Sequence, residues 1–123
     1  MLTNGVDIIE ISRISKMVER WGKRFLDRIY TESELRICRG KPERLASRFA
    51  GKEAVMKALG TGARGISWRE IEIASESSGK PVVQLYGKAR AKAESLGLKE
   101  LAISLSDSRD YSVAFVVGDM KPD

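Results

Sequence analysis

The sequence of 123 residues contains no histidine and a single cysteine, Cys38. The absence of histidine excludes Ser-His-Asp triads, histidine metal clusters and histidine general bases. One cysteine excludes an internal disulfide framework and any zinc site built from several cysteines. Acid–base or metal chemistry in this chain must therefore use carboxylates, lysines, hydroxyl groups or water.

Long hydrophobic runs are also missing from the sequence. No apolar stretch approaches the roughly 18–20 residues of a membrane span, and the first residues lack the basic-then-apolar pattern of a signal peptide. We therefore expect a cytoplasmic protein without a membrane partner. Hydrophobic residues make up 42% of the chain and charged residues 32%, which is typical of a globular protein. The length predicts one domain over residues 1–123.

Basic residues outnumber acidic ones by 22 to 17, which gives a net charge of +5. This balance indicates an anionic partner such as a nucleic acid, a phosphate-bearing cofactor or an acidic protein. Part of the basic excess lies on a helix that apolar spacing predicts over residues 12–21. One side of this helix and its continuation is basic, with Met17 at the border, and it carries Arg13, Lys16, Arg20, Lys23 and Arg24. Such a face is either solvated or docks on an acidic helix or a nucleic-acid backbone, and we favour a partner surface.

Hydrophobic periodicity and turn residues predict the other elements. A β-branched strand starts the chain at residues 5–9, and the Thr31-to-Glu34 spacing predicts a capping box at the start of a short helix. A long helix should run from about 42 to 59 and end at Gly60. Further strands and one helix are predicted around residues 71–73, 82–86, 87–96, 101–106 and 111–117. The order βαααββαββ predicts an α+β fold with helices packed on a largely antiparallel sheet, and the last strand is apolar enough to be central.

The stretch from Phe49 to Gly62 combines the end of the long helix with a glycine-rich turn. Phe49, Glu53 and Lys57 are four residues apart and therefore form one stripe on the helix. Two interpretations of Glu53 are open: a surface ion pair with Lys57, or a metal or phosphate site at the end of the helix. In the second case the turn Gly60-Thr61-Gly62 would offer free backbone N–H groups, and Lys57 would add a positive charge.

Asp7 interrupts the first predicted strand. Strand alternation places Val6 and Ile8 on one face and Asp7 and Ile9 on the other. An aspartate in this position is either a strand-end side chain exposed to water or a side chain that faces a site.

Two motifs occur in order along the chain. The first is Gly5-Val6-Asp7-Ile8 followed by Ile11 and Arg13, and the second contains Phe49-Ala50, Lys52-Glu53-Ala54, Lys57-Ala58 and Gly60-Thr61-Gly62. Together they resemble the 4′-phosphopantetheinyl transferases, and the short chain resembles their holo-acyl-carrier-protein synthase branch. The resemblance spans nearly the whole chain, with Gly79-Lys80-Pro81 and the hairpin from Ser104 to Tyr111 at the expected distances.

The resemblance implies both a fold and a reaction. The phosphopantetheine arm of coenzyme A would move to a serine of an apo acyl carrier protein, as in fatty acid biosynthesis, and adenosine 3′,5′-bisphosphate would be released. Asp7 and Glu53 would hold a Mg²⁺ ion that also binds the coenzyme's pyrophosphate. Two carboxylates without histidine or clustered cysteine suit this hard cation and do not suit zinc.

Further roles follow from the same resemblance. Glu53 and Lys57 would be the catalytic residues, with Lys57 stabilising the leaving phosphate, and the general base would be Glu53 or a metal-bound water. Contacts to coenzyme A would come from Arg48 at the nucleotide end and from Lys57, Gly60, Thr61 and Gly62. The carrier protein would dock its acidic helix on Arg13, Met17, Arg24 and Arg28. Short members of the family are expected to form homotrimers with sites between protomers.

One position departs from the commoner family pattern. Many members have a histidine in the final hairpin where this chain has Asp107, so no role in neutralising phosphate is assigned to that residue. Three alternatives stay open beside the main hypothesis. They are a transferase for peptidyl or polyketide carriers, a coenzyme A-binding protein without transfer activity, and a basic module that binds nucleic acid through residues 13–28. The last lacks the aromatic and glycine motifs of RNA-binding sheets, so we expect no nucleic-acid partner.

Overall fold

The computed structural model describes residues 1–62 and 64–121. In this part of the chain the elements follow the order βααααββαββ. The strands are β1 (Leu2–Glu10), β2 (Ile71–Ser75), β3 (Pro81–Leu85), β4 (Leu98–Asp107) and β5 (Tyr111–Met120). The helices are α1 (Ile11–Trp21), α2 (Lys23–Ile29), α3 (Glu32–Cys38), α4 (Pro42–Leu59) and α5 (Gly87–Ser95), and a 3-10 turn (Trp68–Glu70) precedes β2.

The α+β class predicted from the sequence is confirmed, with two differences in detail. The helix predicted over residues 12–21 is present as α1, but the basic residues after it lie on a second helix, α2, because Gly22 has a φ of 54° and ends α1. The strands divide between two antiparallel sheets, of order β1-β5-β4 and β2-β3. Strand β5 is central in the larger sheet, as its apolar sequence predicts.

Helix α4 packs against both β1 and β5 and is the most enclosed helix of the fold. Its side facing β1 is built from small residues, Ala54 and Ala58, which let the strand approach closely. A Cβ atom on Gly5 would overlap the carbonyl oxygen of Ala54 and would lie 2.9 Å from the amide nitrogen of Ala58. The hydroxyl of Thr3 donates a 2.7 Å hydrogen bond to the carbonyl oxygen of Ala58. Strand and helix are therefore in backbone contact.

The opposite face of the larger sheet is apolar, and no helix among the described residues covers it. Alternation along β1 and β5 places Val6, Ile8 and Phe115 on this side, where Val6 and Phe115 are directly paired. These side chains, with Leu2 and Tyr111, are between 45% and 70% exposed. We call these five residues the outer sheet face. In residues 1–62 and 64–121 no helix is both long and apolar enough to cross a membrane.

The contact between β1 and α4 yields a stability prediction. Gly5→Ala should lower the free energy of unfolding by about 2–3 kcal/mol, because the added methyl group meets rigid helix backbone and forces the two elements apart. Urea unfolding followed by circular dichroism measures the change. The control is Asn4→Ala on the exposed face of the same strand, which should alter stability by less than about 0.5 kcal/mol. Equal stability of the Gly5 variant and the wild type would contradict the close packing.

Candidate active site

Asp7 reaches the candidate site from strand β1. Alternation places its side chain on the face that turns toward α4, and it is only 18% exposed. The Nζ atom of Lys57 lies 3.2 Å from Asp7 Oδ1 and also donates a 2.8 Å hydrogen bond to the carbonyl oxygen of Val6. The structure thus favours the interpretation of Asp7 as a residue that faces a site.

Glu53 stands on α4 one turn before Lys57 and is half-buried. Burial raises the pKa of its carboxyl group above the ordinary value of 4.5, and the nearby charge of Asp7 raises the pKa further. The positive charges of Lys57 and Arg13 oppose this rise. Asp7 and Glu53 therefore share one region between β1 and α4. The alternative surface pair of Glu53 with Lys57 is not formed within the described residues, since the lysine is bonded to Asp7.

The two carboxylates have the chemistry that Mg²⁺ requires. This cation prefers oxygen ligands and typically takes one or two carboxylates, with water and substrate phosphates completing its coordination. In the part of the chain that the structure describes, no further carboxylate or cysteine lies close enough to join Asp7 and Glu53 as a metal ligand. The protein would supply two ligands, and the substrate and water would supply the others.

The glycine-rich turn after α4 has fewer free backbone N–H groups than the sequence predicts. Gly60 has a φ of 74° and ends the helix, as predicted. Its amide donates to the carbonyl oxygen of Lys57 at 3.0 Å, and the amide of Thr61 donates to that of Met56 at 3.3 Å. The expectation of three free amides was therefore wrong for Gly60 and Thr61, because both cap the carbonyl groups at the end of the helix. Gly62, which has a φ of 57°, is the candidate that is left for a phosphate contact.

Arg48 lies in a separate recess. Its side chain is 8% exposed, and Nη2 donates a 3.0 Å hydrogen bond to Ser75 Oγ. Its Nε atom is buried and has no hydrogen-bond partner among the described residues. The adjoining cavity of about 310 Å³ is lined by Glu43, Arg44, Ser47, Arg48, Gly79, Pro81, Leu105 and Asp107. Because Arg48 and Glu53 are five positions apart in sequence, the two side chains leave α4 about 140° apart.

The structure thus brings together Asp7, Glu53 and Lys57 and leaves Arg48 on another side of the helix. A buried arginine with an unused donor beside a cavity is suited to an anionic ligand. A larger cavity of about 520 Å³ lies between β3, α5 and β4, but none of the motif residues line it. We therefore do not place the chemistry there.

The basic surface begins next to the carboxylates. Arg13 on α1 is exposed and close enough to Glu53 to act on its pKa, while Met17 is half-buried one turn further on. Arg24 and Arg28 are exposed on α2, one turn apart. The four residues predicted to dock a carrier are therefore distributed over two helices that meet at a glycine corner.

Sequence reasoning assigned no role to Lys52, which is completely buried and paired with Glu34. A signal for its burial was present in the sequence. Leu45, Lys52 and Leu59 are seven residues apart and so lie on the same side of α4, which makes Lys52 a charged residue in an apolar stripe. The identity of its partner could not be read in the same way, because Glu34 is 18 residues away and already explained as part of a capping box.

Comparisons with known proteins identify the family of this chain. The sequence model described as "4'-phosphopantetheinyl transferase superfamily" matches residues 4–116. The holo-[acyl-carrier-protein] synthase of Herpetosiphon aurantiacus is 49% identical over 96% of this chain and 98% of that protein. The enzyme of the same name from Dehalococcoides mccartyi strain 195 is 51% identical over 95% of this chain and 98% of that protein.

Solved structures give the same result for the fold. The Helicobacter pylori holo-[acyl-carrier-protein] synthase in complex with coenzyme A superposes with a TM-score of 0.87 at 32% identity, covering 94% of this chain and 99% of that one. The synthase from Neisseria meningitidis gives a TM-score of 0.85 at 42% identity, covering 95% and 97%. The chain belongs to the 4′-phosphopantetheinyl transferase superfamily.

Proposed function

We propose that this protein transfers the 4′-phosphopantetheine arm of coenzyme A to a serine of an apo acyl carrier protein. The observation that carries the proposal is the meeting of Asp7, Glu53 and Lys57 between β1 and α4. Relatives named as holo-[acyl-carrier-protein] synthases support the substrate class, and a similar structure that contains coenzyme A supports the donor. The family match over residues 4–116 supports a single transferase domain. Location in the cytoplasm stays a prediction from the sequence.

Asp7 and Glu53 are the residues proposed to hold Mg²⁺. When bound, the ion supplies positive charge to the pyrophosphate of coenzyme A. The half-buried position of the two carboxylates supports this assignment, because like charges in that setting are stabilised by a cation.

The chain's own groups would bind and orient the two substrates. In the reaction a bond forms between the serine Oγ and the β-phosphorus of coenzyme A, the phosphoanhydride bond breaks, and adenosine 3′,5′-bisphosphate leaves. Lys57 would stabilise the charge on the leaving phosphate, and the turn after α4 would contact the phosphates through Gly62. Glu53 or a bound water would accept the serine proton. Arg48 would bind the nucleotide end through its unused Nε donor.

The exposed basic residues of α1 and α2 form the proposed carrier-docking surface. Arg13, Arg24 and Arg28 would pair with an acidic helix, and Met17 would give an apolar contact. The position of Arg13 beside Glu53 supports this choice, because the modified serine must reach the carboxylates. A carrier of peptide or polyketide synthesis would use the same surface, so the test below includes such carriers.

The proposed assembly is a homotrimer with sites between protomers. The outer sheet face supports self-association, since contiguous exposed apolar surface on a globular protein marks an interaction site. The separation of Arg48 from Asp7 and Glu53 is also consistent with a site completed by a neighbouring copy.

The transfer reaction can be tested by mass spectrometry of the carrier. Apo acyl carrier protein incubated with this protein, coenzyme A and Mg²⁺ should gain the mass of one phosphopantetheine, and a chelator should prevent the gain. Glu53→Ala should slow the reaction by at least about 100-fold, because it removes a proposed metal ligand. The matched control, Glu19→Ala on the exposed side of α1, should retain full activity. If no acidic carrier of fatty acid, peptide or polyketide synthesis gains mass, the transferase proposal fails, and nucleic-acid binding is tested next.

The raised pKa of Glu53 predicts how stability depends on pH. In the metal-free folded protein Glu53 holds its proton to a higher pH than in the unfolded chain, so stability is lost as pH rises from about 4.5 through the folded pKa. Glu53→Gln removes this penalty. The variant should melt at a higher temperature than the wild type at pH 7, and the difference should shrink below pH 4.5, where Glu53 is protonated in both states.

Calorimetric melting with and without Mg²⁺ checks this prediction. The wild type should be stabilised by Mg²⁺, and Glu53→Gln should lose most of that response. Glu19→Gln again provides an exposed control. A Glu53→Gln variant that is less stable than the wild type at pH 7 without metal would contradict the electrostatic account of the site.

The outer sheet face predicts the oligomeric state. The wild type should have a solution mass about three times the 13.7 kDa of one chain. Phe115→Lys should give a folded monomer with reduced transfer activity, because a buried lysine without a partner is unfavourable at an interface. Light scattering after gel filtration measures the mass. Ala91→Lys introduces a lysine on the exposed side of α5, away from the outer sheet face, and should leave the mass unaltered. A monomeric wild type would refute the assembly and leave the transfer proposal intact.

A further inference from the structure

A fully buried ion pair lies directly behind the candidate site. Lys52, the residue before Glu53, places its Nζ atom 2.7 Å from Glu34 Oε1, and both side chains are 0% exposed. Burial lowers the pKa of the lysine, while Glu34 opposes that effect, so the charged pair has a desolvation cost that a hydrophobic pair would not have. An apolar side chain could fill the space that Lys52 occupies in α4 without this cost.

The ammonium group uses all three of its donors. One donor is bonded to Glu34, and the other two donate hydrogen bonds to the carbonyl oxygen of Trp68, at 3.1 Å, and to that of Ile71. These two carbonyls belong to the 3-10 turn and to the first residue of β2. Lys52 therefore ties α4 to the chain that follows the glycine-rich turn.

Glu34 strengthens the same connection from the other side. Its Oε2 atom accepts a 2.8 Å hydrogen bond from the amide of Ile73, and its Oε1 accepts one of 2.9 Å from the amide of Thr31. One carboxylate thus caps α3, holds β2 and neutralises Lys52. An apolar replacement would fill the space but would leave these backbone groups without partners.

The hydrogen bonds of Lys52 and Glu34 to residues 68–73 fix the position of the side chains and backbone near Glu53. The ring of Trp68 stacks on Phe49 with a centroid distance of 4.9 Å, and Phe49 precedes Glu53 by one turn of α4. The turn that carries Gly62 is held at one end by the capped end of α4, at Gly60, and at the other by the bond from Lys52 to Trp68. A shift of Trp68 would therefore move both the aromatic pair and the proposed phosphate contact.

We propose that Lys52 is a positioning residue for coenzyme A binding, which fixes the turn between α4 and β2 relative to Glu53. The inference rests on the proposed function for its substrate, but the position of the turn is a property of the protein alone. Lys52 does not touch the reacting atoms, because its three donors are all bonded within the protein. It acts through the backbone that it holds.

The test compares Glu34→Gln/Lys52→Met with Glu34→Gln alone. The double variant has no buried charge left at this position and keeps a carbonyl oxygen for the Ile73 amide, so we expect it to fold. Its KM for coenzyme A should rise about tenfold or more, with kcat and the KM for the carrier changed less than about threefold. Calorimetry with coenzyme A and Mg²⁺, without carrier, should show the same loss of affinity. Glu34→Gln alone retains the lysine donors to Trp68 and Ile71 but leaves a buried ammonium group without its carboxylate, so it should be less stable than the wild type. At a temperature where both variants are folded, its KM for coenzyme A should stay within about threefold of the wild-type value.

Limited proteolysis gives a readout that does not depend on transfer. Trypsin cleavage after Arg64, which is exposed in the turn, should be faster in the double variant than in Glu34→Gln, whereas cleavage after Arg109 in the β4–β5 turn should be equal. Wild-type affinity for coenzyme A together with wild-type cleavage at Arg64 would overturn the proposal. A double variant that fails to fold would also overturn it, because Lys52 would then be a requirement of the core. Failure of the transferase hypothesis would appear separately, as a wild type that modifies no carrier.

Discussion

The direct contact of β1 with α4 is the constraint on which the candidate site depends. Gly5 has no side chain to separate the strand from Ala54, and the hydroxyl of Thr3 donates a 2.7 Å hydrogen bond to the carbonyl oxygen of Ala58 in the helix. At this distance Asp7, two residues after Gly5 on the same face, can reach Lys57 on the helix. A larger residue at position 5 would open the gap between strand and helix and would separate the carboxylates. The first motif is therefore a packing requirement as much as a chemical one.

That contact brings two negative charges into a half-buried space, and the surrounding charges limit the cost. Lys57 neutralises Asp7 directly, while Arg13 acts on Glu53 from α1. The pKa of Glu53 is nevertheless raised, so the positive charges of the protein do not fully offset the burial of this carboxylate and the charge of Asp7. A divalent cation and an anionic substrate would complete the charge balance together, which agrees with a site that supplies only two ligands. The metal-free protein is thus prepared for a bound partner at some expense of stability.

Much of the fold follows from local sequence signals, and the exceptions have physical causes. Proline and glycine signals predicted the long helix from residue 42 to Gly60, and the apolar run in β5 predicted its central position. The capping box predicted at Thr31 is present. The separate helix α2 after Gly22 was missed, because a glycine beside a helical pattern shows its positive φ only when tertiary packing requires a corner. The division into two sheets depends on which strand edges meet, and strand patterns contain no information on that point.

Two buried cations of α4 show why burial alone does not reveal a role. Both Arg48 and Lys52 are buried, and the sequence resemblance gave a role only to the first. Lys52 has a protein acceptor for every donor, so it has no capacity left for a ligand and can only hold the fold in place. Arg48 keeps a buried donor that has no partner in residues 1–62 and 64–121, beside a cavity, and an anionic ligand would remove this cost. Counting satisfied donors therefore separates the residue that positions the site from the one that is suited to bind substrate.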